Sequence, residues 1–255
     1  MKKMILAVLG SIAVVLSLDS CKKDTTLSYN NETLGNVVDG TFVSDNGNIY
    51  HIVEQNCAGK IDTMNRVYMI SDILEKTEGG KDEEYNIRLN YLIEPLCKDM
   101  ELKSELSAED DAEMGNDPIH LSEGWFSGGY FNAIVYTEFE VGSEVKHLIN
   151  VVVDDSKTDG KLHMSLRHNA YGETVSELLN DETKIVIGKS IVTFPIAKFM
   201  PEGKDELKVI VSYPWYESDS SKKAVMNEIE GTYTKGDFEH TPNEAKSIVK
   251  SVNIK

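Results

Sequence analysis

Segments in which apolar and polar residues alternate recur along most of this chain of 255 residues. The clearest is 85–91, whose apolar members all fall on one side of the alternation; they are Tyr85, Ile87, Leu89 and Tyr91. Because successive side chains of an extended strand point to opposite faces, this spacing predicts a strand with one buried face. Strands of that kind are typical of antiparallel sheets, so the pattern predicts an all-β fold.

Four strand signals lie close together between residues 35 and 100, and they cover 36–44, 48–54, 66–74 and 85–91. The first two are joined by Asp45-Asn46-Gly47, and Asn-Gly favours a hairpin because it tolerates positive φ. A charged turn around Gly79-Gly80 precedes the fourth signal. Closely spaced strands with tight turns predict a small β-barrel over residues 35–100.

The composition changes after residue 100. Residues 101–114 carry many carboxylates and few large apolar side chains, which predicts a solvated linker with room for a short helix from Ser107. Longer alternating strands follow in residues 115–255. Their core-facing positions are Phe131, Ala133, Val135, Thr137, Phe139 and Val141, then Leu162, Met164, Leu166 and His168, then Val192, Phe194 and Ile196, and finally Leu207, Val209, Val211 and Tyr213. Their regular spacing predicts an antiparallel β-sandwich.

The end of the chain is less periodic. One interpretation of the residues after Glu217 is an added strand near 228–233 followed by a tail that pairs through 248–254. The other interpretation is a mobile tail. The sequence leaves both open.

The first 20 residues have the features of an export signal. Lys2 and Lys3 precede the apolar run from Met4 to Leu16, which is shorter than a membrane-spanning helix. The run ends in Leu18-Asp19-Ser20-Cys21, which resembles a bacterial lipobox, so we expect residues 1–20 to be removed and Cys21 to be acylated. The alternatives are a secretory peptide cut near Ser20, leaving an ordinary thiol, and an anchor that is never cut.

A lipid on Cys21 would tie the protein to a membrane of the cell envelope, where more than one acyl chain gives stable anchoring. Residues 21–34 are largely polar and are expected to form a solvated tether. We expect the membrane that holds the protein to be the outer membrane. The residues after Cys21 leave its periplasmic and its surface face equally open, because Lys22 and Lys23 dilute the acidic run that can mark surface export.

The formal charge excludes one large class of partner. The whole chain carries −17, with 26 basic and 43 acidic residues. Removal of residues 1–20 leaves 24 basic and 42 acidic residues, or −18. Nucleic acids are bound by neutralising phosphates with Lys and Arg, so we expect no nucleic-acid partner. The acidity is typical of a soluble body that repels its own copies.

Two cysteines follow Cys21. Cys57 and Cys97 would form a disulfide in an oxidising envelope, and the alternative is two separate buried thiols. Closing a loop of this length would stabilise the protein by roughly 4 kcal/mol. Their spacing matches no metal-binding pattern.

The motifs that resemble catalytic or metal sites each lack a required residue. In Gly124-Trp125-Phe126-Ser127-Gly128, Trp125 occupies a position where the Gly-x-Ser-x-Gly nucleophile elbow requires glycine. The segment 155–160 has Lys157 where a calcium loop needs an oxygen ligand. His163 and His168 are expected on opposite faces of one strand, so they cannot share a metal. We therefore expect no catalytic residues, no metal, no cofactor and no enzymatic activity.

Three segments resemble a known family: Gly115–His120, Lys146–Val151 and above all Leu166-Arg167-His168-Asn169-Ala170-Tyr171-Gly172 are similar to the NigD-like lipoproteins. The resemblance implies an N-terminal OB-type barrel and a C-terminal β-sandwich behind a lipobox signal peptide. The namesake lies in a bacteriocin-like gene cluster, which implies an immunity role. Arg167 to Tyr171 also invite interpretation as an active site, but a strand that ends in a hydrogen-bonded corner explains them better.

Two groups of aromatic residues are candidate ligand contacts. Trp125, Phe126 and Tyr130 lie around Gly128-Gly129, and Trp215 and Tyr216 follow Pro214. Rigid aromatic side chains near loops anchor protein partners or stack on sugars, and the alternative is that they fill the sandwich core. The sequence thus favours a lipoprotein that binds an unidentified protein, with a glycan-binding or a structural envelope role as alternatives.

Overall fold

The computed structural model describes residues 26–77, 83–174, 185–217 and 223–235. Cys21, the signal peptide 1–20, the Gly79-Gly80 turn and the tail 248–254 lie outside the described residues. The fold is all-β, as predicted, and consists of a closed barrel followed by a two-sheet sandwich. No helix within the described ranges is long and apolar enough to cross a membrane.

Five strands form the barrel: β1 (Ser28–Val38), β2 (Thr41–Ser44), β3 (Ile49–Gln55), β4 (Arg66–Lys76) and β5 (Glu84–Ile93). Their order around the barrel is β1-β2-β3-β5-β4, which returns to β1, and only the β3–β5 pair is parallel. This is the arrangement of an OB-type barrel. A short 3₁₀ turn (Ile61–Thr63) precedes β4. Inside lie Phe42, Tyr50, Val67, Met69, Ile87 and Leu89.

Two details of the barrel differ from the sequence prediction. The strand expected over 36–44 is split by a turn at Asp39-Gly40, where both residues have positive φ (51° and 77°). Tyr91 does not share the buried face of Leu89, because Leu89 pairs with Ser71 and Tyr91 with Ile70, so Asn90 is the extra residue of a β-bulge. A bulge reverses the alternation beyond it, and Tyr91 is therefore 47% exposed.

The sandwich has two sheets. The five-stranded sheet has the order β14-β13-β11-β10-β7 and the four-stranded sheet the order β6-β12-β9-β8. The strands are β6 (Leu96–Cys97), β7 (Glu101–Leu102), β8 (His120–Ser127), β9 (Tyr130–Glu140), β10 (Leu148–Val153), β11 (Leu162–Asn169), β12 (Ile185–Pro195), β13 (Glu206–Tyr216) and β14 (Ala224–Thr234). The remaining elements are one helix, α1 (Ala108–Glu113), and the 3₁₀ turns Lys103–Glu105 and Ala197–Phe199.

The facing surfaces of the two sheets form the main core. It contains most of the positions predicted from alternation, including Phe131, Val135, Met164, Phe194 and Val209. Val141 is the exception, because β9 ends one residue before it and its side chain is exposed. Ser107 caps α1 by accepting a hydrogen bond from the backbone N–H of Asp110 at 3.1 Å, so the helix begins where the sequence placed it.

The predicted domain boundaries need three corrections. The tether expected over 21–34 already belongs to the barrel from Ser28, and Leu34 is fully buried. The linker expected over 101–114 is also not a free connection, because β7 pairs with β10 at its start. The barrel expected over 35–100 also ends earlier, because Leu96 and Cys97 form β6 and pair with β12 of the sandwich. β6 and β7 are two residues long each, too short to leave a periodic signal in the sequence.

Candidate functional site

A buried ion pair joins the barrel to the sandwich. Arg66, at the start of β4, donates two hydrogen bonds to Asp45 in the β2–β3 turn, at 3.0 and 2.7 Å. The two residues are only 1% and 3% exposed. Arg66 also donates to Asn132 Oδ1 in β9 at 2.7 Å, and Ser127 in β8 donates to Asp45 Oδ2 at 2.6 Å. Each member of the barrel pair is thus bonded to the sandwich.

The turn between β8 and β9 fits tightly against this ion pair. Gly128 has a φ of 58°, and an added Cβ would overlap the carboxylate of Asp45. Tyr130, on the other side of the turn, places its ring 4.0 Å from the Arg66 guanidinium carbon. The pKa of Tyr130 is raised, mainly because the phenol is buried. The positive charge of Arg66 acts in the opposite direction but is the smaller effect. Tyr130 therefore packs against the ion pair and forms part of the junction between the domains.

A small apolar cluster lies beside the ion pair. Leu34 and Tyr68 from the barrel pack with Trp125 and Ile191 from the four-stranded sheet. The barrel thus covers one end of the outer face of that sheet. Trp125 is 3% exposed for this reason, so its predicted role as a ligand contact is wrong. Phe126 is 8% exposed and packs against Phe131 in the sandwich core, and that prediction is also wrong.

Trp215 and Tyr216 are half-buried and stay candidates for contact with a ligand. Their rings lie 4.8 Å apart, and Trp215 meets His120 edge to face at 4.9 Å. Burial lowers the pKa of His120. Tyr216 donates a hydrogen bond to Glu138 at 3.1 Å. Trp215 and Tyr216 belong to β13 of the five-stranded sheet, and His120 belongs to β8, the edge strand of the four-stranded sheet.

An open notch lies where the barrel meets the four-stranded sheet. Its volume is about 460 Å³, and we define this junction notch by Tyr68, Tyr91, Ile93, Leu96, Lys189 and Ile191. Tyr68 donates a hydrogen bond to Glu32 at 2.6 Å. The pKa of Tyr68 is raised, first by burial and then by the hydrogen bond to Glu32, with smaller contributions from the charges of Glu32 and Glu123. Carboxylates therefore lie close to an aromatic wall.

A second cleft, of about 450 Å³, lies on the outer face of the five-stranded sheet. Two of its cations are paired with neighbouring carboxylates: Lys103 lies 3.5 Å from Asp154, and Arg167 lies 3.0 Å from Asp111. Lys157 and Glu228 also line the cleft, with opposite charges. These internal pairs leave little net charge to attract a ligand. This cleft is a weaker candidate than the junction notch.

The segment Arg167 to Gly172 forms a structural corner. Arg167 donates to the backbone oxygen of Gly115 at 2.6 Å, and Asn169 donates to the backbone oxygen of Glu113 at 2.8 Å. Both bonds hold the chain after α1 against the end of β11. Tyr171 adopts a φ of 50° in the following turn. The side chains that resemble an active site are bonded within this corner: Arg167 and Asn169 donate to backbone oxygens, and Tyr171 donates to the carboxylate of Glu113 at 2.6 Å.

His168 ends a buried chain of hydrogen bonds in this corner. Its Nδ1 lies 2.9 Å from the oxygen of Pro118, which can only accept, so Nδ1 carries the proton. Its Nε2 therefore accepts from Nδ1 of His147 at 3.1 Å. His147 Nε2 lies 3.5 Å from the carboxylate of Glu173. Burial acts to raise the pKa of Glu173, but hydrogen bonds from Ser143 and from backbone, together with His147, lower it.

We expect His168 to make stability depend on pH. Burial, followed by the charge of His147, lowers the pKa of His168 to about 4, below the value of an unfolded histidine. The unfolded state thus binds more protons between pH 6.5 and 4, so stability is complete above this window and falls with the pH. The expected loss between pH 7 and pH 5 is about 2 kcal/mol. Denaturation at pH 7 and at pH 5 measures this loss of unfolding free energy. The variant for comparison is His168→Asn, because the asparagine amide can still donate a hydrogen bond to the oxygen of Pro118.

The carboxylates of the chain also titrate on acidification, and His168→Asn leaves all of them in place. A difference between the variant and the original chain therefore reports the contribution of His168 alone. His168→Asn is expected to be less stable at pH 7 and to lose about 2 kcal/mol less than the original chain on acidification. Equal losses for both proteins would show that His168 does not titrate in this window.

The two cysteines after Cys21 are both free, so the predicted disulfide is wrong. Cys57 follows β3 and packs against the barrel core, whereas Cys97 lies in β6 at the exposed edge of the sandwich. The two residues belong to different domains. In the described part of the chain, no three His, Cys, Asp or Glu residues are arranged to hold a metal.

The architecture thus defines a two-domain β-protein, with an OB-type barrel fused to a sandwich through a buried junction. Residues 102–226 match the NigD-like C-terminal beta sandwich domain. The chain therefore contains a NigD-like C-terminal domain and resembles the NigD-like family, as the segments around His120, Val151 and His168 indicate. The matched region begins at Leu102, the second residue of β7, and so includes most of the segment expected to be a linker.

Solved structures of other proteins share this fold. A protein from Parabacteroides distasonis, named for a relation to toxins, is 20% identical with a TM-score of 0.59, over 82% of this chain and 94% of its own. A protein of unknown function from Bacteroides vulgatus is 22% identical with a TM-score of 0.59, over 85% and 95%. A NigD-like immunity protein from Bacteroides caccae is 18% identical with a TM-score of 0.57, over 80% and 94%. Among curated proteins, none matches this chain.

Proposed function

We propose that this chain is a membrane-anchored, non-catalytic factor that binds a protein, with an immunity-like role against a toxin. The match of residues 102–226 to the NigD-like C-terminal beta sandwich domain supports this proposal. One structural relative is named an immunity protein, and another is named for a relation to toxins. At 18% and 20% identity they share the fold, and their names suggest the role that should be tested first.

The observation that carries the proposal is the buried junction between the domains. Arg66, Asp45 and Asn132 fix the barrel against the sandwich, so the surfaces of both domains hold one relative position. A surface fixed before binding loses less conformational freedom when a partner docks. The junction therefore supports recognition of a macromolecule by both domains together.

The proposed anchor is a lipid on Cys21, which would hold the protein in the outer membrane, on its periplasmic or its surface face. Metabolic labelling with a radioactive fatty acid tests this part of the proposal. We expect label in the original chain and none in Cys21→Ala, which should leave the membrane fraction. Equal labelling, or equal membrane association, would contradict the anchor.

Protection of living cells tests the immunity-like role. Cells that lack the protein are challenged with secreted material from related strains, with and without expression of the full chain. We expect expression to restore growth against at least one toxic preparation, and affinity capture with the chain to recover a protein from it. Absence of protection, combined with absence of any captured protein, would contradict the proposal.

Glycan binding is the second candidate, and one observation favours it. Trp215 and Tyr216 stay half-exposed, next to His120, and form an aromatic surface on which a sugar ring could stack. A glycan array with the original chain and Trp215→Ala tests it. Binding that survives the substitution would remove the physical basis of this candidate, since Trp125 is buried.

A further inference from the structure

We propose that the junction notch binds a cationic segment with apolar side chains, presented by the protein partner. This inference rests on the proposed protein-binding function and assigns it a site. The notch is lined from both domains, by Tyr68, Tyr91 and Ile93 of the barrel and by Leu96 and Ile191 of the sandwich. A segment in the notch would contact both domains at once.

The walls of the notch are apolar and partly open. Tyr91 and Leu96 are among the exposed large hydrophobic residues of the chain, at 47% and 36%. The bulge at Asn90 is what turns Tyr91 outward, away from the barrel core that its alternation predicted. Below these two residues, Tyr68 and Ile191 belong to the buried junction cluster, which gives the notch a rigid floor. Covering exposed aromatic and aliphatic surface would favour binding.

The charge around the notch is negative. Glu32, Glu94 and Glu123 lie at or beside it, and none of the three has a cationic partner in the part of the chain that the structure describes. Among the described residues, Lys189 is the one cation that lines the notch, and it is exposed. A ligand of opposite charge would compensate carboxylates that the fold itself leaves unpaired. This complementarity selects a basic segment over an acidic one.

The size of the notch limits the occupant to a few side chains. Its volume of about 460 Å³ falls in the range of small-ligand clefts, roughly 300 to 1,000 Å³. Tyr91 lines the notch, and a lysine or arginine against its exposed ring would gain a cation–π contact in addition to the attraction of the glutamates. The occupant is therefore a short segment in which basic and apolar residues are neighbours.

A pair of synthetic peptides tests this site. One alternates lysine and leucine, and the other alternates glutamate and leucine at the same length. Calorimetry with the full-length chain in detergent measures both. We expect the lysine peptide to bind, the glutamate peptide not to bind, and both Tyr91→Ala and the double variant Glu94→Gln/Glu123→Gln to weaken binding by about fivefold, as loss of about 1 kcal/mol implies.

Glu202→Gln is the matched control, because Glu202 is an exposed carboxylate in the loop before β13, outside the notch. It is expected to leave the affinity within about twofold, as an exposed residue without contact to the ligand should. Equal affinity of the two peptides, no binding of the lysine peptide, or binding unchanged by both notch variants would overturn the site. If the notch variants still protected cells, the notch would not be the binding site, and the proposed function would be unaffected.

Discussion

Replacing Arg66 by alanine is expected to lower the free energy of unfolding by about 3 to 5 kcal/mol, the range for breaking a buried ion pair. The reason is that Asp45, the partner of Arg66, would remain buried without its cation. Asp45 is 3% exposed and would keep a buried charge with Ser127 as its main remaining hydrogen-bond donor. Asn132 would also lose the guanidinium that joins it to the barrel. Urea denaturation of the full chain, followed by circular dichroism, measures the loss.

Arg88→Ala is the control for Arg66→Ala. Arg88 pairs with Glu54 at 2.6 Å and with Asp72 at 3.4 Å, but its side chain is 30% exposed. Pairs that water reaches contribute about 0 to 1 kcal/mol. The double variant Arg66→Met/Asp45→Leu is expected to recover part of the loss, because it removes both charges. If Arg66→Ala cost no more than Arg88→Ala, the ion pair would not be what joins the domains.

Gly35→Ala is expected to destabilise the barrel by about 3 kcal/mol or more, at or above the upper end of the usual cost of overpacking. Gly35 pairs with Ser44 on one side and with Val67 on the other, so β1 turns from one neighbour to the next at this residue. An added Cβ would overlap the backbone oxygen of Val43 and lie 2.6 Å from Ser44 Cα. Those atoms belong to the paired β2 strand and cannot move without opening the barrel.

Gly188→Ala is the matched control for Gly35→Ala, since both residues lie inside strands with ordinary φ. An added Cβ at Gly188 would meet the ring of Phe139 at 2.6 Å, and that ring is a half-buried side chain that can rotate away. We expect a loss of about 1 kcal/mol or less for this variant. Equal losses from the two substitutions in thermal denaturation would show that β1 tolerates a side chain at the closure of the barrel.

Alternation predicted the faces of most long strands, because burial of one face acts through residues two apart. Phe131, Val135 and Phe194 lie in the core for that reason. Tyr91 was assigned to the wrong face, since a bulge depends on the pairing of β5 with β4 and leaves no local signal. The turn at Asp39-Gly40 did have a signal, because Asp-Gly is a preferred hairpin pair.

The junction between the domains could not be predicted from the sequence. Arg66 and Asn132 are 66 residues apart, and nothing in the neighbourhood of either indicates that they meet. Trp125 was a candidate ligand contact because it lies near loops, and only the docking of the barrel buries it. The notch has the same origin, since Tyr68 and Ile191 become neighbours through that docking. Sites formed between domains leave little trace in the periodicity of either domain.

Quantitative capture of partners from envelope extracts tests the central claim, that this chain acts by binding a protein. The full chain is compared with the triple notch variant Tyr91→Ala/Glu94→Gln/Glu123→Gln and with Glu202→Gln. We expect one protein with a basic, apolar segment to be enriched by the original chain and by Glu202→Gln. The triple variant should reduce its recovery about tenfold or more, as a loss of at least about 1.4 kcal/mol implies. Failure of the original chain to enrich any protein over a blank resin would contradict the central claim.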